Sequence, residues 1–236
     1  MASGKIILVA TPIGNLGDLS LRVQSALAEA DLWIVEDTRV SSKLASHLGV
    51  RKPMRVVNDH TNPGQISRIL DEVQTGLTAV LLTDGGTPAI SDPGTLVADG
   101  AYERGIEVDA LPGPSAVTTA LMLSGFFGQR FVFLGFLGRK PGSIRQELAP
   151  FADSPYTLVL FESPFRVGKT LEVAASVLGA RRFATCREMT KLHQEVRRGI
   201  LTNPTELQNF LPKGEYCLVI EGKRRTHCAD DTDVLE

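Results

Sequence analysis

The first half of the chain alternates short, apolar, β-branched runs with segments of helical period, and that alternation leaves few folds open. Ile6–Ala10, Leu32–Val35, Met54–Val57, Ala79–Thr83 and Glu107–Leu111 read as strands. Between them, Leu19–Ala30, Lys43–Leu48, Ile66–Gln74 and Leu96–Arg104 carry apolar residues at helical spacing. A further apolar helix opens at Pro112-Gly-Pro-Ser-Ala and runs to about Leu123. Strands separated by helices predict an α/β unit with a mostly parallel sheet. Such sheets bind ligands at the carboxyl ends of their strands. Loops rich in Gly, Pro, Thr and acidic residues follow Ala10, Val35, Thr83 and Leu111, all at those ends.

The second half reads differently. Phe131–Phe136, Thr157–Phe161, Arg182–Cys186, Glu195–Leu201 and Tyr216–Glu221 are expected strands, Arg166–Leu178 and Pro204–Phe210 expected helices, and Leu137–Ser143 a basic loop. Strands following one another closely predict a mixed sheet. The expected boundary is Gly125–Gly128, giving an N-terminal domain over 4–126 and a C-terminal domain over 128–223. Residues 224–236 lack apolar periodicity and read as a flexible tail unless docked.

Charge follows the same division. The whole chain is close to neutral at −2, but residues 1–127 carry −5, residues 128–223 carry +5 and the tail −2. A polyanionic partner for the basic half and a scatter of solvated charges both fit this split. Arg181-Arg182 reads as a solvated strand entry.

Several classes are excluded. Hydrophobic content of 43% argues against wholesale disorder. Strictly apolar runs of four or five residues fall far short of the roughly 18 needed for a helical membrane span. Ile6–Ala10 is too short for a signal-peptide core, and no small-residue cleavage site follows it. Three cysteines without CxxC spacing predict reduced thiols in a cytoplasmic protein, not a disulfide framework or zinc site. The four histidines, His47, His60, His193 and His227, lack ligand spacing, so no metal is expected. There is no GxGxxG and no GxSxG. Gly168-Lys169-Thr170 ends like a phosphate loop, but Ser163 stands where that motif needs glycine.

The most informative stretch is Leu82-Thr-Asp-Gly-Gly-Thr-Pro-Ala-Ile-Ser-Asp-Pro-Gly94. Its glycines permit close approach of backbone to ligand. Asp84 offers a carboxylate at a strand end and Thr87 a hydroxyl, while Asp92 reads as a helix cap. Joined with Thr11-Pro-Ile-Gly-Asn-Leu, Glu36-Asp-Thr-Arg and Leu111-Pro-Gly-Pro-Ser-Ala, this stretch resembles the ribosomal RNA small subunit methyltransferase I family of the tetrapyrrole methylase superfamily. Phe161-Glu-Ser-Pro-Phe-Arg, Arg187-Glu-Met-Thr-Lys and Gly214-Glu-Tyr-Cys-Leu-Val-Ile-Glu-Gly222 continue the likeness, which spans about residues 4–223 in register. The chain departs at Gly85, where members usually carry Ala, and at Phe165, where they usually carry His. Asn58-Asp-His60-Thr-Asn keeps only the second histidine of the usual His-Glu-His-Asn.

The resemblance implies a two-domain tetrapyrrole-methylase-like α/β fold, usually a homodimer, with S-adenosylmethionine bound in the cleft between the domains. It implies methyl transfer to the ribose 2′-hydroxyl of a cytidine in the decoding centre of 16S ribosomal RNA, free or in the small subunit. Pro12, Gly14, Asp84, Gly85, Gly86, Thr87, Pro88, Ile90, Pro112, Gly113, Ser115 and Ala116 would then contact or border the cofactor. A ribose hydroxyl is a poor nucleophile while protonated, so a general base would help. The candidates are Asp37, His60, Glu162 and Lys191, with Glu36 and Glu188 behind them. Arg139, Lys140, Arg145, Arg166, Lys169, Arg187, Arg197 and Arg198 are the expected RNA-binding cations, with Lys191 adding to the basic excess. A methylase of tetrapyrrole or modified-protein substrates, and a non-catalytic RNA-binding assembly factor, are the competing readings.

Overall fold

A computed structural model describes residues 4–224. The chain divides into two compact units between Ala116 and Val117.

The first unit holds a five-stranded, wholly parallel sheet of β1 (Lys5–Val9), β2 (Leu32–Val35), β3 (Met54–Val56), β4 (Thr78–Leu82) and β5 (Glu107–Leu111), in the order β3-β2-β4-β1-β5. Helices α1 (Leu21–Glu29) and α2 (Thr38–Leu48) cover one face. Their Val23, Leu27, Leu44 and Ala45 pack on Val9, Trp33, Val35, Val80 and Leu82. Helices α3 (Pro63–Gln74) and α4 (Gly94–Glu103) cover the other, where Ile66, Ile69, Leu70, Val97 and Ala101 meet Ile6, Ile34 and Leu81. Both sheet faces are therefore dry, which explains why the central strands read as unbroken apolar runs.

Local chemistry starts the helices. Ser20 accepts from the Val23 N–H at the head of α1. Asp37 accepts from the Arg39 N–H, so α2 begins well before the expected Lys43. Asn62 and Gln65 form a reciprocal capping box over Pro63 at the start of α3. Trp33, fully buried, donates its indole N–H to the Leu27 carbonyl at 3.0 Å.

The second unit opens with helix α5 (Ala116–Ser124), whose first residue lies on the division, and continues with β6 (Phe131–Phe136), α6 (Pro141–Leu148), β7 (Thr157–Glu162), α7 (Val167–Leu178), β8 (Arg182–Arg187), β9 (Glu195–Ile200) and β10 (Tyr216–Ile220). The sheet runs β6-β7-β10-β8-β9, parallel only between β6 and β7. Helices α6 and α7 pack Ile144, Leu148, Leu171 and Ala174 onto Leu158, Leu160, Phe183 and Leu218. On the other face Val159, Ala184, Cys186 and Val219 are fully buried, and the Cys186 thiol donates to the Ala120 carbonyl of α5. Contacts of this kind place α5 with the second sheet and set the division ahead of the expected Gly125–Gly128 boundary.

Three readings change. The basic loop 137–143 ends at Pro141, which occupies the first turn of α6, and Ile144 and Leu148 form its buried stripe. The helix expected over Pro204–Phe210 is a run of turns. Leu207 sits in the core there, Phe210 packs edge-on to Tyr216, and Asn209 has φ of 61°. Arg181 is buried and not solvated, donating to the Phe151 and Ala152 carbonyls. The expected tail lies outside the described residues beyond Arg224.

Candidate functional site

The connections that leave β1 and β4 diverge. After β1 the chain turns to the α1–α2 face, and after β4 it turns to the α3–α4 face. These strands are neighbours, so a crevice opens between their carboxyl ends, the place where open α/β sheets bind ligands.

The loops around the crevice are tied together. Thr11 and Gly86 exchange two backbone hydrogen bonds, at 2.9 and 3.0 Å, joining the loop after β1 to the loop after β4. The Thr11 hydroxyl donates to the Thr83 carbonyl at 3.2 Å. The Thr87 hydroxyl donates to the Pro114 carbonyl at 3.1 Å, tying in the loop after β5. Glu36, at the end of β2, accepts from the Thr83 hydroxyl and the Asp84 N–H, at 2.8 and 3.3 Å. The Asp37 N–H donates to Asp84 Oδ1 at 3.2 Å. Gly86 has φ of +94° and is buried, with the Ile13 side chain 3.3 Å from where a Cβ would stand. Gly113 approaches Ala10 so closely that a Cβ would lie 3.1 Å from the alanine methyl. Ala89 and Ser91 also have positive φ, at 64° and 55°, so the turn past Pro88 is held in a conformation that non-glycine residues rarely take. Asp92 closes that turn, accepting from the Gly94 N–H at 2.7 Å.

Electrostatics separates the acidic groups. Burial and the neighbouring Glu36 carboxylate push the Asp84 carboxyl above its ordinary range. Its Oδ2 has no hydrogen-bond partner among the described residues. Asp37 is the opposite case. Hydrogen bonds from the Arg39 guanidinium hold it at about 2.

The structure brings Pro12, Gly14, Asp84–Pro88, Ile90, Pro112, Gly113 and Ser115 to one edge of the first sheet. Asp37 stands on that edge too, while His60 lies in the turn after β3, the sheet's edge strand. The His60 N–H donates to Asn58 Oδ1 within that turn. Glu36 and Thr11, which organise the crevice, are the residues that sequence reasoning ranked too low. Their signal was position, directly after an apolar strand.

Glu162 and Lys191 belong to the second unit and are occupied there. Glu162 is fully buried at the end of β7, accepting from Ser163 N at 2.7 Å and from the Thr170 hydroxyl, with Arg166 Nε at 3.3 Å. Lys191 pairs with Glu188 and Glu215, at 3.0 and 2.7 Å. Partial burial opposes its charge, but those two hydrogen bonds outweigh it and raise its pKa. Glu188, itself at φ of 49°, also accepts from the Glu215 N–H.

The expected RNA-binding cations divide in two. Arg166 donates to the Leu137 and Gly138 carbonyls, Arg187 pairs with Glu195, and Arg197 donates to the Gln208 and Asn209 carbonyls while lying over the Phe210 ring. Arg198 lies over Phe126. Arg139, Lys140, Arg145 and Lys169 are exposed and carry no ion pair among the described residues. Among the described residues no group of three His, Cys, Asp or Glu side chains is placed to hold a metal ion, and no helix is long and apolar enough to cross a membrane.

Residues 5–204 match the family of Tetrapyrrole (Corrin/Porphyrin) Methylases. In agreement, the structure of uroporphyrin-III C-methyl transferase from Thermus thermophilus, complexed with S-adenyl homocysteine, superimposes with a TM-score of 0.64. It covers 92% of this chain and 96% of its own at 18% identity, a likeness of fold. Ribosomal RNA small subunit methyltransferase I of Mycobacterium tuberculosis is 45% identical over 94% of this chain and 79% of its own length. The Thermotoga maritima protein of the same name is 39% identical, over 93% and 99%. Within the tetrapyrrole methylases, the chain thus belongs to the ribosomal RNA small subunit methyltransferase I family.

Proposed function

We propose that the chain transfers a methyl group from S-adenosylmethionine to the 2′-hydroxyl of a cytidine ribose in the decoding centre of 16S ribosomal RNA, acting in the cytoplasm as a homodimer. Family membership supports the reaction class and the RNA. The observation that carries the cofactor reading is the stapled crevice between β1 and β4. Its glycines leave backbone open where a Cβ would crowd Ile13 or Ala10. Asp84 offers a free carboxylate oxygen suited to ribose hydroxyls or an ammonium group. These residues fit such a ligand. Bound there, it would supply a methyl group on a sulfonium.

The chain's own contribution is chiefly placement. Correct positioning of two reactants is worth roughly 7–11 kcal/mol of barrier. The candidate bases support that emphasis. Asp37 is too weakly basic beside Arg39, Lys191 stays protonated, and Glu162 commits its two oxygens to Ser163 and to Thr170 of α7. His60 keeps a side chain free of hydrogen bonds among the described residues and is the remaining candidate.

The test is methyl transfer with tritiated S-adenosylmethionine to small subunits from a strain lacking this activity, followed by nucleoside mass spectrometry. The expected product is 2′-O-methylcytidine. Label on a base, or on no RNA while calorimetry still detects cofactor binding, would overturn the assignment.

A further inference from the structure

We propose that the carboxyl ends of β6 and β7 form a stacking platform for unpaired RNA, with Phe136 and Phe165 under bases and Arg139, Lys140 and Lys169 on phosphates. The inference rests on the RNA reading above and deepens it by naming the form of RNA recognised.

Two large aromatic side chains are left in solvent here. Phe165, in the turn between β7 and α7, is 80% exposed, and Phe136, the last residue of β6, is 62% exposed. The register of β6 against β7 shifts at a bulge between Phe133 and Phe136, which sets Phe136 opposite Phe161. The two rings tilt together at 5.5 Å, and Phe133 meets Phe161 edge-on at 4.9 Å. Phe136 is therefore braced from below and open above.

The same edge carries cations with no internal use. Arg139 and Lys140 precede α6, and Lys169 lies in the first turn of α7. None of their side chains forms a hydrogen bond or ion pair among the described residues. Arg166 positions them. Its guanidinium reaches from the head of α7 to the Leu137 and Gly138 carbonyls, at 3.1 and 2.8 Å, and to buried Glu162. That clamp holds the loop bearing Arg139 and Lys140 against the turn bearing Phe165. The nearby Glu147 carboxylate, which accepts from the Gly138 N–H and the Ser143 hydroxyl, sets one negative charge against Arg139, Lys140 and Lys169, so the patch stays net positive.

Exposed aromatics interleaved with free cations match the surfaces that hold single strands, where bases stack on rings and cations track the backbone. A duplex hides its base faces and offers nothing to stack. A second copy of this chain fits poorly, because a two-fold contact would set the cation cluster against itself.

The test measures fluorescence anisotropy of the full chain with a short fluorescein-labelled single-stranded RNA and with its duplex, across a salt series. The wild type is expected to prefer the single strand. Phe165→Ala should weaken single-strand binding about tenfold or more without changing the salt slope. Phe165→Trp should retain binding, and the joint Arg139→Ala, Lys140→Ala variant should flatten the salt slope by about 1.4. Melting temperature and calorimetric binding of S-adenosylmethionine should not move. Unchanged binding by Phe165→Ala, or equal binding of duplex, overturns the platform and leaves the RNA reading standing. A wild type that binds neither RNA overturns the platform, while the RNA reading is judged separately by methyl transfer to small subunits. A shift from dimer to monomer on Phe165→Ala in sedimentation assigns the face to a second copy and overturns the platform.

Discussion

Glu162 offers a sharp test, because a buried carboxylate at a strand end can be either a base or a brace. Glu162→Ala removes the carboxylate that accepts from the Ser163 N–H and the Thr170 hydroxyl. An orphaned buried donor costs about 1–3 kcal/mol. Arg166 loses its partner too, but it keeps two carbonyls and 25% of its side chain in water, so its share is small. The total is about 3–5 kcal/mol, the range for breaking a buried ion pair. At about 4 °C per kcal/mol for a unit of this size, the melting temperature should fall by about 10–20 °C. Glu162→Gln keeps an acceptor for Ser163 and should cost about 1 kcal/mol. Calorimetric melting and methyl-transfer turnover at low temperature read both consequences. Turnover should survive in Glu162→Gln wherever the chain is folded. An unchanged melting temperature with turnover down about 10²–10⁴-fold, the usual weight of a general base, would refute the brace.

Other expectations follow from the crevice and the core. Asp84→Asn should weaken S-adenosylmethionine about 10–100-fold by calorimetry, since hydrogen bonds to charged groups are worth about 1.5–3 kcal/mol. The Asp84 pKa is raised in the fold, so its ionised form costs stability at neutral pH and the protonated form is favoured in acid. Asp84→Asn should therefore melt no lower than wild type at pH 7, with any advantage vanishing as pH falls through the carboxylate range. Gly86→Ala forces a side chain into φ of +94° and should cost about 1–2 kcal/mol in chemical denaturation while weakening the cofactor. Cys186 and Cys217 are buried partners across β8 and β10, and burial pushes the Cys186 thiol up to about 11 and Cys217 higher still. In a Cys228→Ser variant neither should react with a thiol reagent at pH 8 until the chain unfolds. Native stability should decline as pH climbs from about 9, where unfolded thiols ionise, toward 11.

The parallel sheet was legible because burial on both faces writes each strand as a continuous apolar run. The crevice was legible for the same reason, since the runs end abruptly in Thr11-Pro12, Glu36 and Asp84. Helix α6 was hidden by Gly138, Pro141 and Gly142, which read as breakers although Pro141 fits a first turn. The turns at 204–210 carry a helix-like pair, Leu207 and Phe210, whose burial comes instead from the second unit's core and from Tyr216 and Arg197. Neither partner belongs to a helical turn with them. Charge composition was a poor guide to individual cations. Arg166, Arg187 and Arg197 count toward the basic excess yet serve carbonyls and carboxylates, a distinction only the fold makes.

The placement of β1 bears on synthesis as well as on binding. Lys5 pairs with Thr78 on one side and Glu107 on the other, so β1 lies between two strands that emerge much later. At about 5–20 residues per second, a ribosome needs about 5–20 s to supply both neighbours. Through that interval Ile6 and Val9, fully buried in the finished molecule, have no sheet to join. A nascent chain of this design carries β1 as an adhesive segment through those seconds, and its yield in a cell depends on what shields that strand until β5 arrives.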